Sequence, residues 1–318
     1  MFTFILFVLG FVILIRGAVF LIDGAASIAK KFNISKIVIG LTIVAFGTSA
    51  PELAVNLISS FQGNTDLAIG NIVGSNIANI LLILGIASII YPLKVNKNTV
   101  WKEIPFSIFG AVILYIMAGT FLITRIDGLI LLGFFAVFLY YTFGISKNSG
   151  KVESESELDI DTIPIRKTST SIGMVILGLV GLALGGKWIV DGAVEIATNF
   201  GMSQSLIGLT IIAVGTSLPE LATTITASLK KQSDMAIGGV VGSNIFNIFW
   251  ILGISSIIRP LPVNTETNFD LLVAILASVA LFIFLIIGKR NVIERWEGWI
   301  FISFYASYIG YYIIKAIL

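Results

Sequence analysis

The chain has 318 residues, of which 57% are hydrophobic and only 12% charged, and its formal net charge is +2. Soluble domains carry about 25% charged and roughly 45–50% apolar residues, so this chain has more apolar mass than its own surface could hide and a soluble globular fold is excluded. Cysteine and histidine are both absent, which removes disulfides, thiol catalysis, Cys/His zinc sites and imidazole chemistry, and the small charge excludes nucleic acid as a partner.

Apolar runs of about 18–25 residues recur along the chain, the length that spans bilayer hydrocarbon as a helix. They lack the strict alternation of a transmembrane β-barrel. The runs predict an all-α polytopic membrane protein with ten helices, near 2–22, 38–60, 67–90, 104–122, 127–145, 171–197, 206–228, 235–258, 270–288 and 296–316. The first run, Phe2–Ile22, has no basic segment before it and reads as a retained helix, not a cleaved signal. Between the fifth and sixth runs, Ser146–Thr170 is polar and carries Glu153, Glu155, Glu157, Asp159 and Asp161. It reads as a solvated linker, a weak regulatory cation site being the sharper alternative, and it is below the ~40 residues that a folded domain needs. The chain thus divides into 1–145, the linker 146–170, and 171–318. In the last run Tyr305, Tyr308, Tyr311 and Tyr312 read as interfacial anchors or packing. Lysine and arginine concentrate on alternate connections, fifteen against three, which predicts both termini outside the cell membrane and the acidic linker in the cytoplasm.

An internal repeat organises the chain. Residues 38–96 align without a gap onto 206–264 at an offset of 168, with about 36 of 59 positions identical. Each half holds five predicted helices, an odd number, so equivalent helices run in opposite directions. Inverted five-helix repeats are the pattern of alternating-access transporters, whose site lies near the bilayer midplane where the halves meet.

The most similar blocks are Gly47-Thr48-Ser49-Ala50-Pro51-Glu52 and Gly215-Thr216-Ser217-Leu218-Pro219-Glu220, both in mid-span. A carboxylate there is costly unless it is paired, hydrated or bound to a cation. Each proline removes the hydrogen bond to the carbonyl four residues back and tends to kink the helix. Broken backbone, hydroxyls and one carboxylate are the oxygen donors that hard cations such as Ca²⁺ and Na⁺ take. The second pair of blocks runs Gly70–Asn79 and Gly238–Asn247. Ser75 with Asn79, and Ser243 with Asn247, stand four apart on one helix face that can present oxygens to the glutamates. Asn76 and Asn244 point about 100° away, towards other helices. The glycines of these blocks read as close-packing positions. Arg16, Asp23, Lys187, Asp191 and Glu195 lie nearer helix ends, where long side chains reach water, and Lys187 is spaced to pair with Asp191.

With GTS-x-PE and GSN-xx-N each present twice, the chain resembles the sodium/calcium exchanger branch of the Ca²⁺:cation antiporter superfamily, in its small prokaryotic form. The resemblance covers the whole ten-helix layout. It implies two inverted five-helix halves, a gate made by the first helix of each half, and electrogenic exchange of three Na⁺ for one Ca²⁺, with no resident cofactor and no obligatory protein partner. It makes Glu52 and Glu220 the carboxylates of a central calcium site, with backbone oxygens of Thr48 and Thr216. One flanking sodium site would use the Ala45 carbonyl, Ser49, Ser75 and Glu52; the other, the Ala213 carbonyl, Ser217, Ser243 and Glu220. Asn79 and Asn247 would complete the middle. Potassium-dependent relatives carry aspartate where Asn247 stands, so potassium is not expected here. Two other readings stay open on the residues alone: a Ca²⁺/H⁺ exchanger, in which protons on Glu52 and Glu220 replace sodium, and a cation channel. An enzyme is disfavoured, because the chain has no acid–base set beyond the two glutamates.

Overall fold

The computed structural model describes residues 2–63, 65–148, 164–200 and 213–317. The acidic run of the linker and the first part of the helix expected at 206–228 lie outside these residues. In chain order the helices are α1 (Phe2–Phe32), α2 (Lys36–Thr48), α3 (Ala50–Gln62), α4 (Thr65–Ile90), α5 (Thr99–Ala118), α6 (Arg125–Asn148), α7 (Thr168–Asn199), α8 (Ala213–Thr216), α9 (Leu218–Leu229), α10 (Ser233–Ile258), α11 (Thr265–Ile287) and α12 (Arg295–Ile317). Seven of them, α1, α4, α5, α6, α7, α10 and α11, are long and apolar enough to cross a membrane. The pair α2/α3 forms a further candidate, bent by 46°. The helix α12 has 23 residues, but its many tryptophans and tyrosines lower its hydropathy.

Both α1 and α7 run beyond the ends expected from hydropathy, to 31 and 32 residues. At 1.5 Å per residue each is about 46–48 Å long, against ~30 Å of hydrocarbon. On α1, Ala25, Ala26 and Ala29 keep the extension buried, and Lys30 and Lys31 stand in its last turn. These two helices pack backbone to backbone through glycines seven residues apart, Gly10, Gly17 and Gly24 against Gly178, Gly185 and Gly192. A Cβ on Gly17 would lie 2.8 Å from the Gly178 carbonyl oxygen, and one on Gly185 would lie 2.6 Å from the Leu14 nitrogen. Small residues allow this approach, and van der Waals contact holds the pair where no hydrophobic drive between helices exists.

The central helices are α4 and α10, 78% and 89% buried in their most apolar stretches; the five other long apolar helices are 28–39% buried. Around α10, Phe249 packs against Phe106 and Phe134 with tilted rings, and Phe246 meets Phe135 edge-on. The outer helices turn Ile126, Leu129, Leu177, Leu276 and Phe304 outward. An exposed apolar belt of this extent suits lipid, not water.

Two short ladders that hydropathy does not announce tie the ends of the bundle. Antiparallel β1 (Leu93–Lys94) pairs with β4 (Val292–Ile293), and β2 (Leu122–Ile123) pairs with β3 (Leu261–Pro262). Each ladder joins a connection of one half to a connection of the other. Helix contacts repeat the theme: α4 packs on α12 as α10 packs on α6.

Among the described residues, four helices contain a stretch wound more widely than an α-helix, at Gly40–Val44, Asn79–Leu84, Thr99–Glu103 and Phe246–Leu252. Such π-type turns occur mostly as single insertions and concentrate at functional sites. Three of the four lie beside the blocks singled out in the sequence.

Candidate cation site

The helix break falls two residues before each proline. Ser49 leaves helical geometry at φ −81°, ψ 7°, and Ser217 does so at φ −87°, ψ 7°. Pro51 and Pro219 lack the N–H that would bond the carbonyl four residues back, so the helix restarts at Ala50 and at Leu218. Glu52 and Glu220 then stand in the first turns of α3 and α9. A carboxylate is favoured there by the positive end of the helix dipole.

Both glutamates are buried, 1% and 2% exposed, between the four blocks. Glu52 Oε1 accepts from the Ser75 hydroxyl at 3.5 Å. Glu220 Oε1 accepts from Ser49 at 3.3 Å and from Ser243 at 3.4 Å. Ser217 donates to Ser75 at 3.3 Å, and the Thr48 hydroxyl lies 3.4 Å from that of Ser243. The Ala45 carbonyl takes the Ser49 N–H at 3.0 Å and the Thr48 hydroxyl at 3.4 Å. In the second copy the Ser217 N–H donates to the Val214 carbonyl at 3.2 Å. Thr216 donates to Asn71 Oδ1 at 3.3 Å.

These bonds group the serines differently from the family resemblance. Ser49 belongs with Glu220 and Ser243, and Ser217 belongs with Ser75 beside Glu52. The helix break swings each serine across to the other half.

Asn76 and Asn244, expected to bond other helices, bond each other's helix around the centre. Asn79 Nδ2 donates to Asn244 Oδ1 at 2.9 Å, and Asn247 Nδ2 donates to Asn76 Oδ1 at 3.0 Å. The second amide ends close the square: Asn76 Nδ2 on the Asn244 carbonyl at 3.4 Å, Asn244 Nδ2 on the Asn76 carbonyl at 3.3 Å. With their NH₂ ends committed, Asn79 and Asn247 carry free amide oxygens. Asn79 Oδ1, Asn247 Oδ1, Glu52 Oε2 and Glu220 Oε2 are all buried acceptors with no donor.

Four such oxygens, related in pairs by the internal repeat, are not the remnant of a packed interior. Buried polar atoms are ordinarily satisfied, and an unpaired buried charge is among the most expensive features a protein can hold. Among the described residues no ion pair to either carboxylate is seen; Lys187 pairs with Asp191 and Lys230 with Asp23, both away from the site and partly exposed. Carboxylate and amide oxygens without donors are the ligands that hard cations take. The signal that a sequence reader could have used for the asparagine square is the spacing itself: Asn76 and Asn79, like Asn244 and Asn247, are one turn apart in matching positions.

Two further buried carboxylates sit elsewhere. Tyr141 donates to Glu103 at 2.7 Å, and the Glu294 N–H donates to Glu297 at 2.7 Å. Both make structural bonds within or between peripheral helices.

The profile of the family described as sodium/calcium exchanger protein matches residues 2–144 and 170–314. The candidate antiporter CaxA of Alkalimonas amylolytica is 40% identical over 305 residues, 95% of each chain. The sodium/calcium exchanger MaX1 of Methanosarcina acetivorans is 32% identical, covering 96% of this chain and 97% of its own. Among solved structures, the sodium-calcium exchanger NCX_Mj soaked with 10 mM Na⁺ and zero Ca²⁺ superposes with a TM-score of 0.81 at 35% identity, over 97% of this chain and 98% of that one. By family profile, full-length relatives and fold alike, the chain belongs to the sodium/calcium exchanger family of prokaryotic Ca²⁺:cation antiporters.

Proposed function

We propose that this chain exchanges Na⁺ for Ca²⁺ across the cytoplasmic membrane by alternating access, three Na⁺ for one Ca²⁺, without K⁺. The observation that carries the reading is the set of four donorless oxygens of Glu52, Glu220, Asn79 and Asn247. Ca²⁺ sits between the two carboxylates, completed by the two amide oxygens and by backbone oxygens at the breaks near Thr48 and Thr216. One Na⁺ lies beside Glu52 with Ser75, Ser217 and the Ala213 carbonyl; another lies beside Glu220 with Ser243, Ser49 and the Ala45 carbonyl. The third takes the middle when Ca²⁺ leaves.

Two carboxylates give the empty site a charge of −2, whose burial carries a heavy desolvation penalty. Ca²⁺ balances that charge, and Na⁺ ions remove it as well, so the two occupancies compete. Either loaded site can pass a closed apolar barrier; the empty one cannot, and the cycle becomes an exchange. Three Na⁺ leave one net positive charge, which makes the exchange sensitive to membrane potential. The architecture behind the cycle is ten crossings in two inverted halves, 1–145 and 171–318, with α1 and α7 as the gate, the termini outside and the linker 146–170 in the cytoplasm. The repeat in the sequence, the cross-half ladders and the glycine-packed α1–α7 pair support it. Asn247 offers no third charge, which supports independence from potassium.

The test is radioactive calcium uptake into proteoliposomes under imposed Na⁺, K⁺ or H⁺ gradients. Uptake driven by Na⁺ at fixed pH is expected. Uptake that follows a pH gradient without sodium would make the chain a Ca²⁺/H⁺ exchanger, and flux indifferent to any counter-ion would make it a channel.

A further inference from the structure

The helix pair α1 and α7 meets the rest of the bundle differently at its two ends. The repeat offset of 168 places Asp23-Gly24-Ala25 on Asp191-Gly192-Ala193, and Lys230 on Gln62. In inverted halves such equivalent residues stand at opposite ends of the bundle. At one end α1 lies along α9. There Ile22, Ala25 and Ala26, which lie round the helix from the glycine seam, are buried. At the other end their counterparts on α7, Val190, Ala193 and Val194, are only half-buried. Among the described residues α7 has no comparable packing on α3. The bundle is shut where α1 ends and looser where α7 ends.

The charges divide in the same way. Lys230, the residue that closes α9, pairs with Asp23 of α1, and each side chain is 31% exposed. This bond joins the helix pair to the bundle. At the other end Asp191 pairs with Lys187, one turn back in its own helix, a bond that never leaves α7. Gln62, the last residue of α3, stands where a second lysine would complete the symmetry, and an amide has no charge to offer.

We propose that the Asp23–Lys230 pair is a one-sided latch that favours the state closed where α1 ends. The inference rests on the alternating-access reading above. The halves are related by inversion, so the opposite state exchanges their arrangements: α7 lies along α3, and α1 leaves α9. Asp23 then parts from Lys230, and Asp191 arrives beside Gln62, where no ion pair replaces the one lost. A contact made in only one of two states shifts their equilibrium by what it contributes there. For a partly exposed pair that shift is about two- to fivefold, a bias and not a lock. With the termini outside, the latched end is the cytoplasmic one, and the carrier rests open to the outside.

The chain has no cysteine, so a single introduced thiol reports alone. Ala26→Cys and Val194→Cys place it at equivalent points of α1 and α7. Each is combined with the parent, with Lys230→Gln, which copies Gln62, and with the charge-swapped Asp23→Lys, Lys230→Asp. The purified proteins, in saturating sodium, are labelled with an anionic methanethiosulfonate reagent. Loss of a lysine by itself repels such a reagent, so a faster reaction cannot come from charge. Lys230→Gln is expected to raise the labelling rate at position 26 about two- to fivefold and not at position 194, and the swap to restore the parent rate. Unchanged labelling at position 26 in Lys230→Gln would overturn the latch. So would a rise at both positions, which general loosening produces, or a rise at position 26 that the swap leaves in place. A parent without sodium-driven calcium flux in vesicles sinks the sodium reading; flux in the parent with unaltered labelling sinks only the latch.

Discussion

Replacing Asn76 by alanine removes a side chain that touches no proposed ion yet fixes one that does. Asn76 Oδ1 accepts the Asn247 amide at 3.0 Å, and its Nδ2 donates to the Asn244 carbonyl at 3.4 Å. Without it, two buried groups lose their partner. The Asn244 carbonyl loses its side-chain donor whether or not a cation is present, so that loss lowers stability and leaves affinity alone. The Asn247 amide is different: freed, it can turn and bring its NH₂ end to the cation, losing a ligand and adding a repulsive dipole. An unsatisfied buried polar group costs about 1–3 kcal/mol, which translates into a calcium affinity lower by about one to two orders of magnitude. Titration calorimetry of Ca²⁺ into purified protein in sodium-free choline buffer measures it. The same substitution in an Asn247→Asp background is the control, because a carboxylate presents oxygen at either end and needs no orienting partner. Asn76→Ala should weaken calcium far less there. Parental affinity in Asn76→Ala, or an equal loss in both backgrounds, would refute the orienting role.

Other consequences are as direct. Glu52→Gln and Glu220→Gln each remove one of two charges facing a divalent cation, so calcium exchange in vesicles should fall to background while the protein still inserts; near-normal exchange in either would remove the site. Gly17→Ala places a Cβ 2.8 Å from backbone atoms of α7, which cannot give way, and over-packing of this kind costs about 1–3 kcal/mol. Its melting temperature should drop, whereas Gly133→Ala, where a Cβ would meet nothing within 4 Å, should leave it unchanged. Sodium-driven flux should persist when potassium is replaced by choline on both sides, and loss of flux on that replacement would show that Asn247 does not exclude potassium.

The parts of this molecule that the sequence discloses are those fixed by local chemistry. Pro51 and Pro219 announce the breaks, the repeat announces that the blocks come in pairs, and a glutamate with no neutralising partner announces an ion. What eludes a linear reading depends on how helices turn relative to one another. The cross-over of Ser49 to Glu220 follows from the break at φ −81°, ψ 7°, which no spacing rule provides. The asparagine square needs α4 and α10 in contact with their wide turns beginning at Asn79 and Phe246, and a 3.6-residue period cannot anticipate those turns. The ladders β1–β4 and β2–β3 are two residues long, too short for any alternation to be seen. The length of α1 was hidden because Asp23, Lys30 and Lys31 look like the end of a span; Asp23 is instead paired with Lys230, just past the end of α9 in the other half.

The most direct measurement of the central claim, that Ca²⁺ and Na⁺ compete for one buried pair of carboxylates, is equilibrium binding of radioactive calcium to the purified protein. Sodium is raised against choline at constant ionic strength and pH. One Ca²⁺ per chain is predicted, displaced by sodium with a Hill coefficient above one and absent from Glu52→Gln and Glu220→Gln. Calcium binding that is indifferent to sodium, or that survives loss of both glutamates, would contradict it.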